Sequence, residues 1–234
     1  MKKILISPSK YVQSKGAIKE LTKIVSEYGK KALLVSSSAD LSYVQKALDE
    51  AQQNFPLEFV LTSFRGECSN VEIERLRTLS KANGCDVIIG LGGGKSLDTA
   101  KAIAHYDHLP VIVVPTIAST DAPCSSLAVI YAEQGAFESY MFFKTNPNLV
   151  LVDTDVIAKA PVRFLVAGMG DALSTYFEAR ACARSFADNI PGGKSTKLAI
   201  AAAKLCYETL LEDSLKAKAA CEANVVTQAP ENII

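Results

Sequence analysis

The sequence lacks a net charge, a long apolar run and a paired cysteine motif. Its 25 basic and 25 acidic side chains cancel to zero, which excludes the strong positive surface typical of nucleic-acid-binding proteins. No apolar run reaches the ~20 residues that a membrane-spanning helix needs, and the N-terminus is too short in apolar residues for a signal peptide. We therefore expect a soluble, cytoplasmic protein that binds neither nucleic acid nor membranes.

Cysteine and histidine are scattered rather than clustered. No CxxC pair occurs among the six cysteines, which are Cys68, Cys85, Cys124, Cys182, Cys206 and Cys221. In a cytoplasmic protein such isolated thiols stay reduced, and we expect Cys124 to pack as a small buried group. The only histidines, His105 and His108, have no partner at metal-ligand spacing, so we expect them at the surface or in a loop.

Strand-like and helix-like segments alternate in the first two thirds of the chain. The strand-like runs are Lys31–Ser36, Leu57–Leu61, Asp86–Ile89, Val111–Val114 and Asn148–Val152. Apolar residues at helical spacing lie between several of them, and Asn70 predicts the start of one helix. This alternation predicts a mostly parallel sheet with helices on both faces. An antiparallel hairpin, Ser126–Ala132 with Ser139–Phe143, is predicted within that pattern.

After about residue 155 the strand-like runs end and helical periodicity dominates. Pro161 opens a long helix and Ile190–Gly193 interrupts the pattern. Two further helices are predicted at Lys194–Leu211 and Leu215–Val226. We therefore predict an α/β domain over residues 1–155 and an all-α domain over residues 156–234. So few helices leave an apolar face uncovered, so we expect the helical domain to be present only in part, with further sequence after Ile234.

Consecutive glycines follow one buried strand and directly precede a helix. The segment Gly90–Ser96 reads Gly-Leu-Gly-Gly-Gly-Lys-Ser, and glycine lets a ligand approach the backbone of a helix N-terminus, where phosphate binds well. The nucleoside-triphosphatase loop does not fit, because Ile89 stands where its first glycine belongs. The dinucleotide fingerprint does not fit either, because Lys95 replaces its third glycine. The pattern favours phosphate binding over a simple turn.

Three motifs in order carry a family resemblance. They are Gly92–Lys101, Pro115–Ser125 and Gly168–Leu173, supported by Ser7–Tyr11, Gly66–Ser69 and Phe177–Cys182. Together they resemble the metal-dependent, iron-containing type of polyol and alcohol dehydrogenases, and within them the bacterial NAD-dependent glycerol dehydrogenases. The resemblance implies a Rossmann-like, dehydroquinate-synthase-like α/β domain that binds the nucleotide, followed by a helical domain that binds metal and substrate. It also implies a homo-oligomer that oxidises glycerol to dihydroxyacetone.

The resemblance assigns the cofactor NAD to ten residues. They are Gly93, Gly94 and Lys95 for the pyrophosphate, Ser37, Thr116 and Ser119 for the adenosine half, and Asp98, Ser125, Leu127 and Tyr131 for the nicotinamide half. Asp98 alternatively orients the loop or faces solvent from the first turn of its helix. Leu127 and Tyr131 alternatively pack within a strand, because alternate residues of any strand share a face.

Two aspartates are assigned to substrate and metal by the same resemblance. Asp121 would accept a hydrogen bond from a hydroxyl of glycerol, although Asp-Ala-Pro is also a common turn sequence. Asp171 would be one of three ligands to a catalytic zinc, and Gly168 and Gly170 before it indicate a close approach of another backbone or a ligand. The two further histidine ligands of the family are absent from the chain. We therefore expect the 234 residues alone to bind zinc poorly and to lack dehydrogenase activity.

Ser37 stands where glycerol dehydrogenases commonly place an aspartate that binds the adenosine ribose. We expect serine to weaken NAD binding and to relax discrimination against NADP, with Asp40 substituting in part. Two alternatives remain open at this point. One is a related metal-dependent dehydrogenase or synthase acting on another diol or a sugar phosphate. The other is a nucleotide-binding protein that has lost the metal and the activity.

Overall fold

Eight β-strands are distributed along residues 11–153. They are β1 (Tyr11–Ser14), β2 (Lys31–Ser36), β3 (Glu58–Ser63), β4 (Val87–Gly92), β5 (Val111–Pro115), β6 (Leu127–Tyr131), β7 (Phe137–Phe142) and β8 (Leu149–Asp153). The structure is a computed structural model that describes residues 1–234. Six strands form one sheet in the order β1-β8-β5-β4-β2-β3, with every neighbouring pair parallel. The predicted mostly parallel sheet is confirmed.

Eight α-helices and one 3-10 helix are the other regular elements. The 3-10 helix is Ala17–Glu20, and the α-helices are α1 (Leu21–Val25), α2 (Ser38–Asn54), α3 (Asn70–Asn83), α4 (Gly94–Asp107), α5 (Thr154–Lys159), α6 (Val162–Ser185), α7 (Lys197–Glu222) and α8 (Gln228–Ile233). None of them combines the length and the apolar character that a membrane-spanning helix requires.

The chain folds as two compact units. The α/β unit comprises Pro8–Ile117 and Ala122–Val156, and the helical unit comprises Met1–Ser7, Ala118–Asp121 and Ile157–Ile234. The assignment of residues 1–155 to a nucleotide-binding domain and of residues 156–234 to a metal and substrate domain concerns function and stays a prediction.

The centre of the α/β unit is its sheet. Strands β4, β5 and β8 are buried at every residue, as expected for parallel strands with both faces covered. The edge strand β1 was not predicted, because Tyr11–Ser14 contains no apolar run and is exposed at both ends. The hairpin of β6 and β7 is confirmed and pairs Leu127 with Phe142.

The N-cap of helix α3 lies one residue before the predicted start signal, Asn70. Ser69, and not Asn70, is the N-cap, and its hydroxyl accepts a hydrogen bond from the Glu72 backbone N–H at 3.2 Å. Asn70 is the first helical residue, which is a difference of one position at a capping motif.

The helical unit contains α6 and α7, which lie on either side of the predicted break at Ile190–Gly193. Helix α6 starts directly after Pro161, as predicted. The two predicted helices at Lys194–Leu211 and Leu215–Val226 are wrong, because α7 is one continuous helix from Lys197 to Glu222. No glycine or proline lies within it, so nothing ends the hydrogen-bond ladder. One buried apolar cluster of the helical unit contains Ala158, Leu165 and Cys221, with partly buried apolar residues around them.

Candidate active site

The glycine turn lies at the carboxyl end of β4, where ligands bind in open parallel sheets. Gly92 has a φ of 140°, and a Cβ built there would lie 2.9 Å from Oδ2 of Asp40, so conformation and space both require glycine. Helix α4 follows with Gly93 as its N-cap and with no side-chain capping bond. The first N–H groups of this 14-residue helix are therefore available to an anion.

A carboxylate beside the turn joins two predicted cofactor residues. The Ser37 hydroxyl donates to Oδ2 of Asp40 at 2.6 Å and accepts from the Asp40 backbone N–H at 3.0 Å. The Thr116 hydroxyl donates to the other oxygen, Oδ1, at 2.8 Å. Asp40 is therefore not an unattached substitute for a ribose-binding aspartate, because it is held between the ends of β2 and β5. Ser37 serves locally as the N-cap of α2.

Lys95 already has a partner within the α/β unit. Its ammonium lies 2.6 Å from Oε1 of Glu67 and 4.9 Å from the centre of the Tyr131 ring. The second oxygen of Glu67 is buried and accepts no hydrogen bond. Sequence reasoning missed Glu67, which is 28 positions away from Lys95, although it lies in a motif that supported the family resemblance.

Asp98 and Lys101 form a buried ion pair on α4. The Lys101 ammonium lies 2.8 Å from Oδ1 of Asp98, and the two residues are only 3% and 5% exposed, respectively. Oδ2 of Asp98 accepts a hydrogen bond from the Val129 backbone N–H at 2.9 Å. The alternative that Asp98 faces solvent is therefore wrong, whereas a role in orienting a loop agrees with these contacts.

The predicted nicotinamide residues on β6 share one face. Leu127 and Tyr131 are half-buried, while Ala128 and Ile130 between them are buried. Because side chains alternate along a strand, Ala128 and Ile130 face the core, while Leu127 and Tyr131 lie on the other face. Ser125 lies just before the strand, and its hydroxyl oxygen is 3.2 Å from the Lys101 ammonium.

The loop before α3 carries a buried thiol. Cys68 is fully buried, and its carbonyl accepts a hydrogen bond from the Tyr131 backbone N–H at 2.9 Å. Burial raises the pKa of the Cys68 thiol to about 12. All six cysteines are free thiols, and Cys124 is half-buried rather than buried as expected, because it lies in a loop.

In the helical unit, the two predicted aspartates are neighbours. The Asp121 backbone N–H donates to Oδ2 of Asp171 at 3.2 Å, and both residues are exposed. They line a cavity of about 170 Å³ together with Thr120, Gly168 and Thr175, among others. The structure thus brings together, within one unit, the residues predicted for substrate and metal.

The two glycines of α6 differ in their surroundings. A Cβ at Gly168 would lie 2.2 Å from the carbonyl oxygen of Ala118 and 3.2 Å from Cα of Ser119, which confirms the predicted close approach of another backbone. A Cβ at Gly170 would meet nothing within 4 Å, so no other backbone approaches Gly170, and the approach of a ligand there stays a prediction. The half-buried Ser119 is part of the backbone segment that approaches Gly168.

The residues present do not make up a metal site. No three side chains of His, Cys, Asp or Glu are grouped as metal ligands anywhere in residues 1–234. His105 lies in α4 and His108 at its end, both exposed. We therefore assign no chemical step to a metal, and the role of Asp171 as a zinc ligand stays a prediction.

A family model agrees with the fold and the glycine turn. Residues 8–154 match the family model described as iron-containing alcohol dehydrogenase, and these residues make up more than half of the chain. The chain therefore belongs to the iron-containing alcohol dehydrogenase family, and the resemblance predicted from the three motifs is confirmed.

Several similar proteins are named glycerol dehydrogenases. The enzyme of Escherichia coli O6:H1 is 47% identical over 100% of this chain and 64% of its own length, and that of Thermotoga maritima is 49% identical over 98% and 62%. The crystal structure of glycerol dehydrogenase from Schizosaccharomyces pombe superposes with a TM-score of 0.92 at 40% identity, over 99% of this chain and 59% of that one. The chain thus spans less than two thirds of the length of these relatives.

Proposed function

We propose that this protein is a glycerol dehydrogenase, which oxidises glycerol to dihydroxyacetone while NAD is reduced to NADH and a proton is released. The observation that carries the proposal is the N-terminus of α4, which follows a buried parallel strand through consecutive glycines and has no side-chain cap. The identity of 47% to a curated glycerol dehydrogenase supports glycerol as the substrate.

Within this proposal, ten of the predicted residues have one task each. Gly93, Gly94 and Lys95 bind the pyrophosphate, Thr116 and Ser119 the adenosine half, Ser125, Leu127 and Tyr131 the nicotinamide half, and Asp121 a glycerol hydroxyl, while Asp98 orients a loop. The helix N-terminus and the Lys95 ammonium balance the charge of the phosphates. NAD, when bound there, would supply the acceptor for a hydride from the central carbon of glycerol.

Asp40 decides the preference between NAD and NADP in this proposal. Its carboxylate is held by Ser37 and Thr116 beside the glycine turn. A fixed negative charge at this edge of the sheet repels a 2′-phosphate. We therefore propose NAD as the cofactor in spite of the serine at position 37.

The test measures binding and turnover separately. NADH fluorescence should rise when the protein is added. In a steady-state assay with added zinc, glycerol should reduce NAD when residues 1–234 are part of a protein with a complete set of metal ligands, and not when these residues stand alone. Lys95→Met should weaken NADH binding about tenfold, since a charge-assisted contact to phosphate is lost. Absence of NADH binding at millimolar cofactor would contradict the proposal.

A nucleotide-binding protein without dehydrogenase activity is the second candidate. One observation favours it: among the residues present, Asp171 is not accompanied by a set of further metal-ligating side chains. Under this candidate, NADH binds normally, but glycerol does not reduce NAD at any zinc concentration. The same pair of assays therefore separates the two candidates.

A further inference from the structure

Lys101 is a buried lysine whose ammonium is surrounded by acceptors of one segment. Its Nζ donates to the carbonyl oxygens of Ala122 at 2.8 Å and Leu127 at 2.6 Å. The hydroxyl oxygen of Ser125 lies 3.2 Å from the same nitrogen. A buried ammonium is stable only when its protons are satisfied, so the segment from Ala122 to Leu127 is folded around this one side chain.

Asp98 extends these backbone contacts from Leu127 to Val129. One carboxylate oxygen pairs with the Lys101 ammonium at 2.8 Å, and the other accepts the Val129 backbone N–H at 2.9 Å. The two side chains therefore contact the backbone at Ala122, Leu127 and Val129. These contacts are directional, because each of them requires a charged or polar group at a fixed position.

Helix α4 connects this ion pair to the glycine turn. At a rise of 1.5 Å per residue, Asp98 and Lys101 follow Gly94 by about 6 and about 10 Å along the helix axis. The helix begins at Gly94 and is buried throughout Ser96–Ala104, so it cannot bend without disturbing the core. A rigid element thus joins the proposed pyrophosphate end of the site to the segment that carries Ser125 and Leu127.

We propose that Lys101 is a positioning residue, which with Asp98 sets the place of the nicotinamide-binding segment relative to the pyrophosphate-binding turn. The inference rests on the proposed function, since it assigns the segment around Ser125 and Leu127 to the nicotinamide half of NAD. It goes further by predicting that two buried side chains that need not touch the cofactor determine how well its nicotinamide end binds.

The experiment compares two ligands on the same protein. NADH and ADP-ribose share the adenosine half and the pyrophosphate, but only NADH has the nicotinamide. Lys101→Met keeps a flexible side chain that is one heavy atom shorter and removes its charge. The matched control is Lys46→Met, which changes an exposed lysine of α2 within the same unit.

Lys101→Met should weaken NADH binding about tenfold, because charge-assisted hydrogen bonds that order the segment are lost. ADP-ribose binding should change less than about twofold, and Lys46→Met should leave both ligands unaffected. Circular dichroism and the unfolding midpoint report whether the variants are folded. Equal losses for NADH and ADP-ribose in a folded variant would overturn the inference, since they would indicate a general structural role.

Asp98→Asn keeps the test decisive if Lys101→Met does not fold. Asparagine retains an oxygen for Val129 and removes the charge that faces Lys101, so the same selective loss of NADH affinity is expected, about threefold in size. Unchanged NADH affinity in this variant would overturn the inference. If the unaltered protein binds neither NADH nor ADP-ribose, the proposed function itself fails first, and the inference falls with it.

Discussion

The site residues of the α/β unit and those of the helical unit are held in different ways. In the α/β unit, side chains bind one another: Asp40 binds Ser37 and Thr116, and Lys101 binds Asp98. In the helical unit, the exposed Asp121 and Asp171 are joined through a backbone N–H. Close to these aspartates, Gly168 of α6 packs against the backbone of Ala118.

This difference predicts opposite sensitivities to mutation. A site built from buried side-chain hydrogen bonds is damaged when an atom is removed, because its partners lose their bonds in a place that water does not reach. A site built from close backbone approach is damaged when an atom is added. Substitutions of the two kinds, each with a neighbour on the same helix as control, therefore test the contrast.

The largest effect is expected at Gly168. The added methyl group of Gly168→Ala would lie 2.2 Å from the Ala118 carbonyl oxygen, so either backbone must move, and we expect a loss of about 3 kcal/mol in the free energy of unfolding. Gly170→Ala is the control, because nothing lies within 4 Å of its added carbon. It should gain about 0.5–1 kcal/mol from helix propensity. Urea unfolding measures both, and equal values would remove the contrast.

A smaller loss is expected from Asp40→Ala. The hydroxyls of Ser37 and Thr116 lose their acceptor, and Thr116 is almost fully buried. We expect the free energy of unfolding to fall by about 2 kcal/mol. Asp49→Ala removes an exposed carboxylate of the same helix and should change stability by less than about 0.5 kcal/mol. A loss in Asp49→Ala as large as that in Asp40→Ala would contradict the assignment.

The contact between α3 and α4 predicts a pH dependence. Burial alone would raise the pKa of Asp107, but hydrogen bonds from Arg77 and Lys81 outweigh it and hold that pKa below its usual value. The resulting stabilisation is present above the unfolded-state pKa of about 3.9 and is lost as the pH falls through the lower folded-state pKa.

Arg77→Met should therefore lower the free energy of unfolding at neutral pH by about 1 kcal/mol. The difference from the unaltered protein should shrink as the pH falls below about 4, and denaturant unfolding at a series of pH values measures it. Lys46→Met should show neither effect. A difference that stays constant down to the lowest pH would show that Arg77 acts by packing alone.

The smallest effect is expected from Glu67→Gln. Lys95 then no longer has a carboxylate as its partner at 2.6 Å, and we expect ADP-ribose to bind about threefold more tightly. The control is Glu58→Gln, which alters a different lysine pair in the α/β unit, with Lys31. Weaker binding after Glu67→Gln would mean that the carboxylate orients Lys95 instead of competing for it.

Local sequence patterns predicted the elements that carry a clear pattern of apolar residues or glycines. Strands β4, β5 and β8 are apolar on successive residues, and the glycines mark the turn into α4, so both were predictable. The short edge strand β1 carries no such pattern. The continuity of α7 was missed because an interruption in apolar periodicity was interpreted as a break, although no helix-breaking residue accompanies it.

The interior of the site depends on contacts between distant positions. The bond from Val129 to Asp98 joins residues 31 positions apart, and that from Thr116 to Asp40 joins residues 76 positions apart. Periodicity reports only which face of an element is buried. The family resemblance identified Asp98 as a candidate, but it did not show that Lys101 pairs with it. The spacing of Asp98 and Lys101 by three residues was the one signal available.

Cys68 gives the loop beside Lys95 an internal chemical reporter. At neutral pH its thiol is almost entirely protonated and has no access to solvent, and only the thiolate reacts readily with alkylating reagents. The rate at which an alkylating reagent labels Cys68 therefore reports how often this loop leaves the hairpin, without a cysteine being introduced. A ligand that holds the loop in place would slow the labelling of Cys68. A ligand that displaces Glu67 from Lys95 would accelerate it.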